Sequence, residues 1–551
     1  MSYNPLPQPA NVVVNTGIGT SPVSIANPFP VTGNVSIANT SGNPSLVKYV
    51  DSTNIQLDTN ERLRVTPGQQ QWWYNPTTDK DGDLRFIESF TGTGATSFFV
   101  QNLSSVLITS GISSTGSAIR ISRRRHKSRP GVSHLYYSNH SFDGPQNNVL
   151  KRRGMFTNYN GIFFELGTDL SLIVRRRLVD GTIAEERVAR GSFNQDNLDG
   201  SGLSGVDIST YNKTTQITSL VSAASSVGIS TTEVVWRVGY GVTNPNAFKL
   251  GSKVTVTGIT STSYNGCAMV TGIGATSITL SYSNNPTTGS FVGIATNAVM
   301  TQTFWHHYQS IFFDFNGNRS SRIRFGLVLP KGQQIIHIFD VADQFGTAYS
   351  NAPSIPVRTE IINTGIPDYT PSLTVAGETF NVEAEAELNP GFGVATNNTP
   401  TVFAKGGTAE YPIMGIGLRT GEPYQRGDLQ FRRLQMFDLG NINPQNAGVL
   451  YWRLVLNPTI TTTGITTTYI GKASQMLTYA AGATVTDGIT LLGGYASQNA
   501  PVDISSDLNF LNMGSNIQYT DSDKLVLVVK QLVGGINDAQ IVASIDFNEN
   551  L

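Results

Sequence analysis

The chain has 551 residues, enough for three or four domains at roughly 150 residues each. Charged residues make up only 14% against 39% hydrophobic, a balance that excludes a disordered chain. The net charge of −1 excludes steering of the whole molecule toward nucleic acid or a membrane surface.

Residues 1–70 carry Pro5, Pro7, Pro9, Pro22, Pro28 and Pro30 between short polar runs. Such a segment buries little apolar surface by itself. It is expected to be an extended arm that packs on the body or on a neighbouring chain, with a flexible tail as the alternative. The first residues show neither a basic nor an apolar stretch of secretory type, so synthesis in a cytoplasm is expected. No window approaches ~18 consecutive apolar residues, so no membrane insertion is expected.

From 71 to 218 the aromatic run QWWYNP (71–76) precedes strand after strand, among them 117–122, 162–166 and 171–174. These short β-branched and aromatic runs end in Gly, Asn, Asp or Pro, which is the strand signature. Residues 219–300 read as an inserted small β module, with strands at 253–256 and 277–282 and one short helix at 219–226. Longer strands return over 301–390, which completes one sandwich body with 71–218. Residues 391–551 form a further β domain ending in an acidic stretch. The predicted fold class is all-β: multi-domain sandwich or jelly-roll layers, an extended N-terminal arm and an inserted barrel-like module.

Chemistry-bearing motifs are sparse. A Gly-Ile-Gly type turn recurs at 17–20, 92–96, 258–261, 272–276 and 464–467, but none continues into the Lys-Ser/Thr and helix of a phosphate loop. Glycine there supplies the positive φ of tight hairpins. Cys267 is the sole cysteine, so no intrachain disulfide forms. His126, His134, His140, His306, His307 and His337 fall in no catalytic or metal spacing. Neither acidic turn, 79–83 or 194–200, has an EF-hand's ligand pattern, and both read as Asx turns rather than calcium loops. No catalytic residue, metal or cofactor is expected, although a carboxylate pair set by geometry would escape this reading.

The strongest electrostatic feature is the segment 120–190, with 14 basic and six acidic residues. Its clusters are Arg123, Arg124 and Arg125; Lys151, Arg152 and Arg153; and Arg175, Arg176 and Arg177. Neighbours on a strand point to opposite faces, so no cluster aims all its charge one way. Arginine pairs bidentately with carboxylates, and the acidic C-terminal region is a complement within or between subunits. Such pairing is favoured over nucleic-acid binding, because aromatic interleaving is weak. These nine cations, with Trp72, Trp73 and Trp305, are the candidate interface residues.

Five segments are similar to a family of virion structural proteins of tailed bacteriophages, notably myophages of marine cyanobacteria. They are DTNERLRVTP (58–67), RRRHKSRPGVSH (123–134), KRRGMFTNYNGIFFEL (151–166), SFNQDNLDGSGLSG (192–205) and HYQSIFFDFNGNRSSRIRFGL (307–327). The family runs directly from the LDGSGLSG turn into the last of these, whereas here the 219–300 module intervenes. The resemblance implies a non-enzymatic building block of the particle, present in the virion and made in the host bacterial cytoplasm. It implies a homo-oligomer, dimer or trimer, in contact with other virion proteins and with the host cell surface. The expected place is the tail apparatus (fibre, fibre connector or baseplate periphery). The alternatives are a capsid decoration, cement or neck protein, and a tail-spike glycan depolymerase.

Overall fold

The computed structural model describes residues 69–550 except 81, 129–130, 229–233, 283–292, 317–320, 330–331, 346–347, 351–353, 384–390, 397–400, 404–408, 422–426, 440–448, 462–463, 481, 498–501, 506–511, 517–519 and 534–538. The arm expected over 1–70 therefore lies, but for its last two residues, outside the described residues. What is described is dominated by β-strands, with two four-residue α-helical turns, Gly82–Arg85 and Val341–Gln344, and six 3-10 turns of three or four residues.

Two antiparallel sheets form the first sandwich. One runs in the order Gly332–Phe339, Ile323–Leu329, Gln309–Asn316, Ser133–Ser141, Ser372–Val382, Ser105–Ser110, Ala95–Val100, with Gln69–Tyr74 also paired to Ser372–Val382. The other runs Ile183–Ala189, Leu170–Arg177, Gly161–Leu166, Val149–Phe156, Ser354–Asn363, Ser117–Lys127, Phe86–Thr91. Consecutive strands between residues 105 and 156 alternate between the sheets, and strands from beyond residue 350 fill the middle of both. A shared core of Phe, Ile, Leu and Val side chains joins them, including Phe164, Phe313, Phe325 and Val357.

A six-stranded closed barrel spans Lys213–Gly228 to Ile294–Gln302 around its own core, with Val238, Tyr240, Val256 and Leu280 at its centre. The chain leaves and returns at one point. Lys213 lies opposite Gln302, and Tyr211 meets Phe304 edge-on at 5.2 Å. The helix expected at 219–226 is not formed: those residues belong to strand Lys213–Gly228. Register shifts after Ile217, Leu220 and Ser222 break the period-two alternation, and that made Leu220, Val221, Ala223 and Ala224 resemble a helical face.

A second sandwich follows. Its sheets are centred on Asp428–Asp438 with Ala539–Asn550, and on Tyr411–Leu418, Lys524–Val533 and Val449–Leu456. Ile416, Leu454 and Leu527 of one sheet share a core with Phe431, Leu434 and Phe547 of the other.

Candidate functional site

The three basic clusters occupy central strands, and the sheet pleat divides each of them. In Ser117–Lys127, Arg124 donates to the Gln71 carbonyl on the neighbouring edge. Arg123 and Arg125 face the other way, toward the second sandwich. Arg123 pairs with Asp523, Arg125 Nη2 donates to Ser515 Oγ (3.0 Å), and the Arg125 amide donates to Asp428 Oδ2 (2.8 Å). The acidic C-terminal region thus meets the basic segment inside one chain.

In Val149–Phe156, Lys151 and Arg153 point into the first sandwich. Lys151 Nζ donates to the carbonyls of Phe142 (2.7 Å) and Gly144 (2.9 Å). Arg153 donates to Ser138 Oγ (2.8 Å), to Thr359 and to Glu378. Arg152 lies on the opposite face, directly across from Glu165 on one neighbouring strand and Glu360 on the other. It bonds both, at 2.7 and 3.2 Å. Burial alone would raise the Glu360 carboxyl, but Arg358 and Arg152 outweigh it and hold the group below its ordinary range. In Leu170–Arg177, Arg175 pairs with Glu185 and lies over the Phe163 ring at 4.9 Å. Arg176 covers Phe345 and Arg177 covers Tyr159.

As surfaces for a neighbouring molecule, most of the twelve candidates need correction. Arg123, Arg125, Lys151, Arg152, Arg153, Arg175, Trp72 and Trp305 are buried within this chain. For Arg152 and Arg175 the physical reason is a carboxylate on an adjacent strand, whereas Arg153 reaches Glu378 of the facing sheet, Arg123 reaches the second sandwich and Lys151 is held by loop carbonyls. Trp72 is turned inward, edge-on to Phe86 and His126, while Trp73 is turned out and 51% exposed, with Arg85 over its ring. Trp305 packs edge-on against Phe142. Arg124, Arg176 and Arg177 are half-buried.

The sequence alone does not pair the acids that complete this network. Glu165 and Asp314 each interrupt an apolar run (IFFEL, IFFDF), and a lone carboxylate at such a place is the signal of a buried ion pair, while Glu360 stands two positions from its partner Arg358. Asp143 had no such signal. Its carboxylate accepts from Lys253 Nζ (2.6 Å), Ser141 Oγ (2.8 Å), Ser372 Oγ (2.8 Å) and Thr374 Oγ1 (2.9 Å). Burial opposes the charge, but Lys253 and Lys151 prevail and draw the carboxyl down to about 2. Lys253 belongs to the barrel, so this pair ties the barrel to the sandwich. In the turn at 194–200, Asp196 accepts the amides of Leu198 and Ser204, and Asp199 accepts that of Ser201. At the other turn Asp79 accepts the Lys80 amide. No group of three or more His, Cys, Asp or Glu among the described residues is placed to hold a metal ion.

With so many cations turned inward, two strand edges stand out at the surface. Among the described residues, no strand pairs with the outer edge of 217–228, whose sequence ITSLVSAASSVG holds no charge and no proline. Val221 there is 61% exposed. Ile465–Tyr469 (ITTTY) pairs with Ser474–Tyr479 on one side, and every one of its residues is exposed. Chains that must avoid edge-to-edge contact place Lys or Pro at such edges.

No family model and no curated protein matches the chain. Among solved structures it is similar to a glycosyl hydrolase family protein from Mycobacterium fortuitum, at 7% identity over 57% of this chain and 99% of that one, with a TM-score of 0.25. It is similar to peanut lectin at 8% identity, over 56% and 96% of the two chains, with a TM-score of 0.20. A structure of Sulfolobus Turreted Icosahedral Virus covers 88% of this chain and 97% of its own, at 8% identity and a TM-score of 0.13.

Proposed function

We propose that the chain is a non-enzymatic structural protein of a tailed-bacteriophage particle, a component of the tail apparatus that assembles with copies of itself and with other virion proteins. The observation that carries this reading is the pair of uncharged, proline-free strand edges at 217–228 and Ile465–Tyr469. Backbone groups on such an edge are satisfied by a strand from a neighbour, and Ser, Thr and Ala side chains suit the wet, hydrogen-bonded interfaces of repeating assemblies. The buried arginine–carboxylate network supports the same reading, because it is used for cohesion between sheets and sandwiches.

The test is quantitative mass spectrometry of purified particles, with immunogold labelling against the barrel. A copy number that is a small multiple of three or six, with label on the tail, is expected. Hundreds of copies with label on the head would move the protein to capsid decoration. Absence from the particle would end the proposal.

A further inference from the structure

Between the first sandwich and the barrel lies a cavity of about 400 Å³, within the size range of small-molecule sites and at the kind of domain junction where they occur. Leu107, Ile112, Ile366 and Pro367 give it an apolar part. Ile112 and Ile366 stand in loops at the rim, 60% and 72% exposed. The lining also carries the hydroxyls of Thr262 and Thr370 and the exposed carboxylate of Asp368, the residue after Pro367.

The charges around the cavity select a ligand class. Asp368 at the rim, with no lysine or arginine among the lining residues, repels an anion. Behind the floor, Ser372 is bonded to Asp143, and there Lys151 and Lys253 outnumber that single carboxylate, which disfavours a cation. A wholly apolar ligand would strip water from Asp368 and the threonines without replacing their hydrogen bonds. A neutral ring with one C–H face and a girdle of hydroxyls meets both the apolar and the polar lining.

We propose that this cavity binds a neutral monosaccharide, or one such unit of a longer glycan. The C–H face of the sugar lies on Ile112 and Ile366, and its hydroxyls bond Asp368, Thr262 and Thr370. The inference goes beyond a role in assembly and does not depend on where in the particle the protein sits.

The test is saturation-transfer difference NMR on the full chain at neutral pH, with D-glucose, D-galactose and N-acetyl-D-glucosamine as probes. Transfer to the ring C–H protons of at least one sugar is expected. Asp368→Ala and Ile366→Asp, both at exposed positions, should weaken that sugar's binding at least tenfold with unchanged melting temperatures. No transfer to any of the three sugars would overturn the proposal. So would transfer that is equal in the wild-type chain and in both folded variants, or preferential binding of methyl phosphate or propylamine, each run as a separate probe.

Discussion

At the scale of single residues, the molecule is governed by charges taken out of water. Arg153 and Glu378 are each about 1% exposed and bonded to each other, so each depends on its partner for solvation. Removing one half of such a pair costs about 3–5 kcal/mol, because the other half is left buried and unpaired. Glu378→Gln should therefore lower the free energy of denaturant unfolding by that amount, and adding Arg153→Met should restore most of the loss. Additive losses in the double variant would refute the coupling.

The histidines act in the same direction. His306 Nδ1 accepts the Thr303 amide (2.9 Å) and His337 Nδ1 accepts the Asn194 amide (3.1 Å), so protonating either nitrogen breaks a backbone hydrogen bond. Burial holds His306 at about 3 and His337 at about 4, and burial together with Arg153 holds His140 at about 3. These folded values lie below the unfolded ~6.5, so the unfolded chain binds the extra protons. Stability is thus fully present above about pH 6.5 and falls progressively as pH drops toward 3. Unfolding midpoints measured from pH 7 to 3 should decline throughout, and His337→Gln should make the decline shallower.

At the scale of elements, what counts is how closely strands and rings approach. Gly326 in Ile323–Leu329 lies directly beneath the ring of Phe312, and a Cβ there would collide with it. This glycine is required by close approach, since its backbone is not in the left-handed region. Gly326→Val should destabilise by about 1–3 kcal/mol as an overpacked site, and Phe312→Ala in the same chain should relieve part of the strain. The free edge at 217–228 makes a different prediction. Val221→Lys adds a charge to an exposed edge position and touches no core, so the melting temperature should stay constant. Self-association measured by sedimentation should weaken. Unchanged association would remove this edge from the assembly.

At the scale of the whole molecule, the barrel is an insertion whose two ends meet, with Lys213 opposite Gln302. Topology alone would allow it to be excised. The pair Lys253–Asp143 adds an energetic link, because the barrel supplies the principal cation for a carboxylate buried in the sandwich. The sign of one substitution should therefore invert. In the full chain Asp143→Asn should destabilise, whereas in a chain with 213–302 replaced by a short linker it should stabilise, as read by thermal unfolding of the purified proteins. Equal signs in the two backgrounds would show that the pair does not couple barrel to sandwich.

The all-β class was legible in the sequence because strand formation is local: runs such as IFFEL and KLVLVV, closed by turn residues, permit little else. Legible for the same reason was that charge within RRR, KRR and RRR must divide between two faces. The helix expected at 219–226 failed on bulges, which depend on the partner strand and leave no local mark. The destinations of the arginines were decided only by the tertiary structure. Arg152 finds its carboxylates 13 and 208 positions away, and Arg123 finds Asp523 at the far end of the chain. Which sheets come together to desolvate those charges is a property of long-range packing, and so is the cavity that forms where the barrel meets the sandwich.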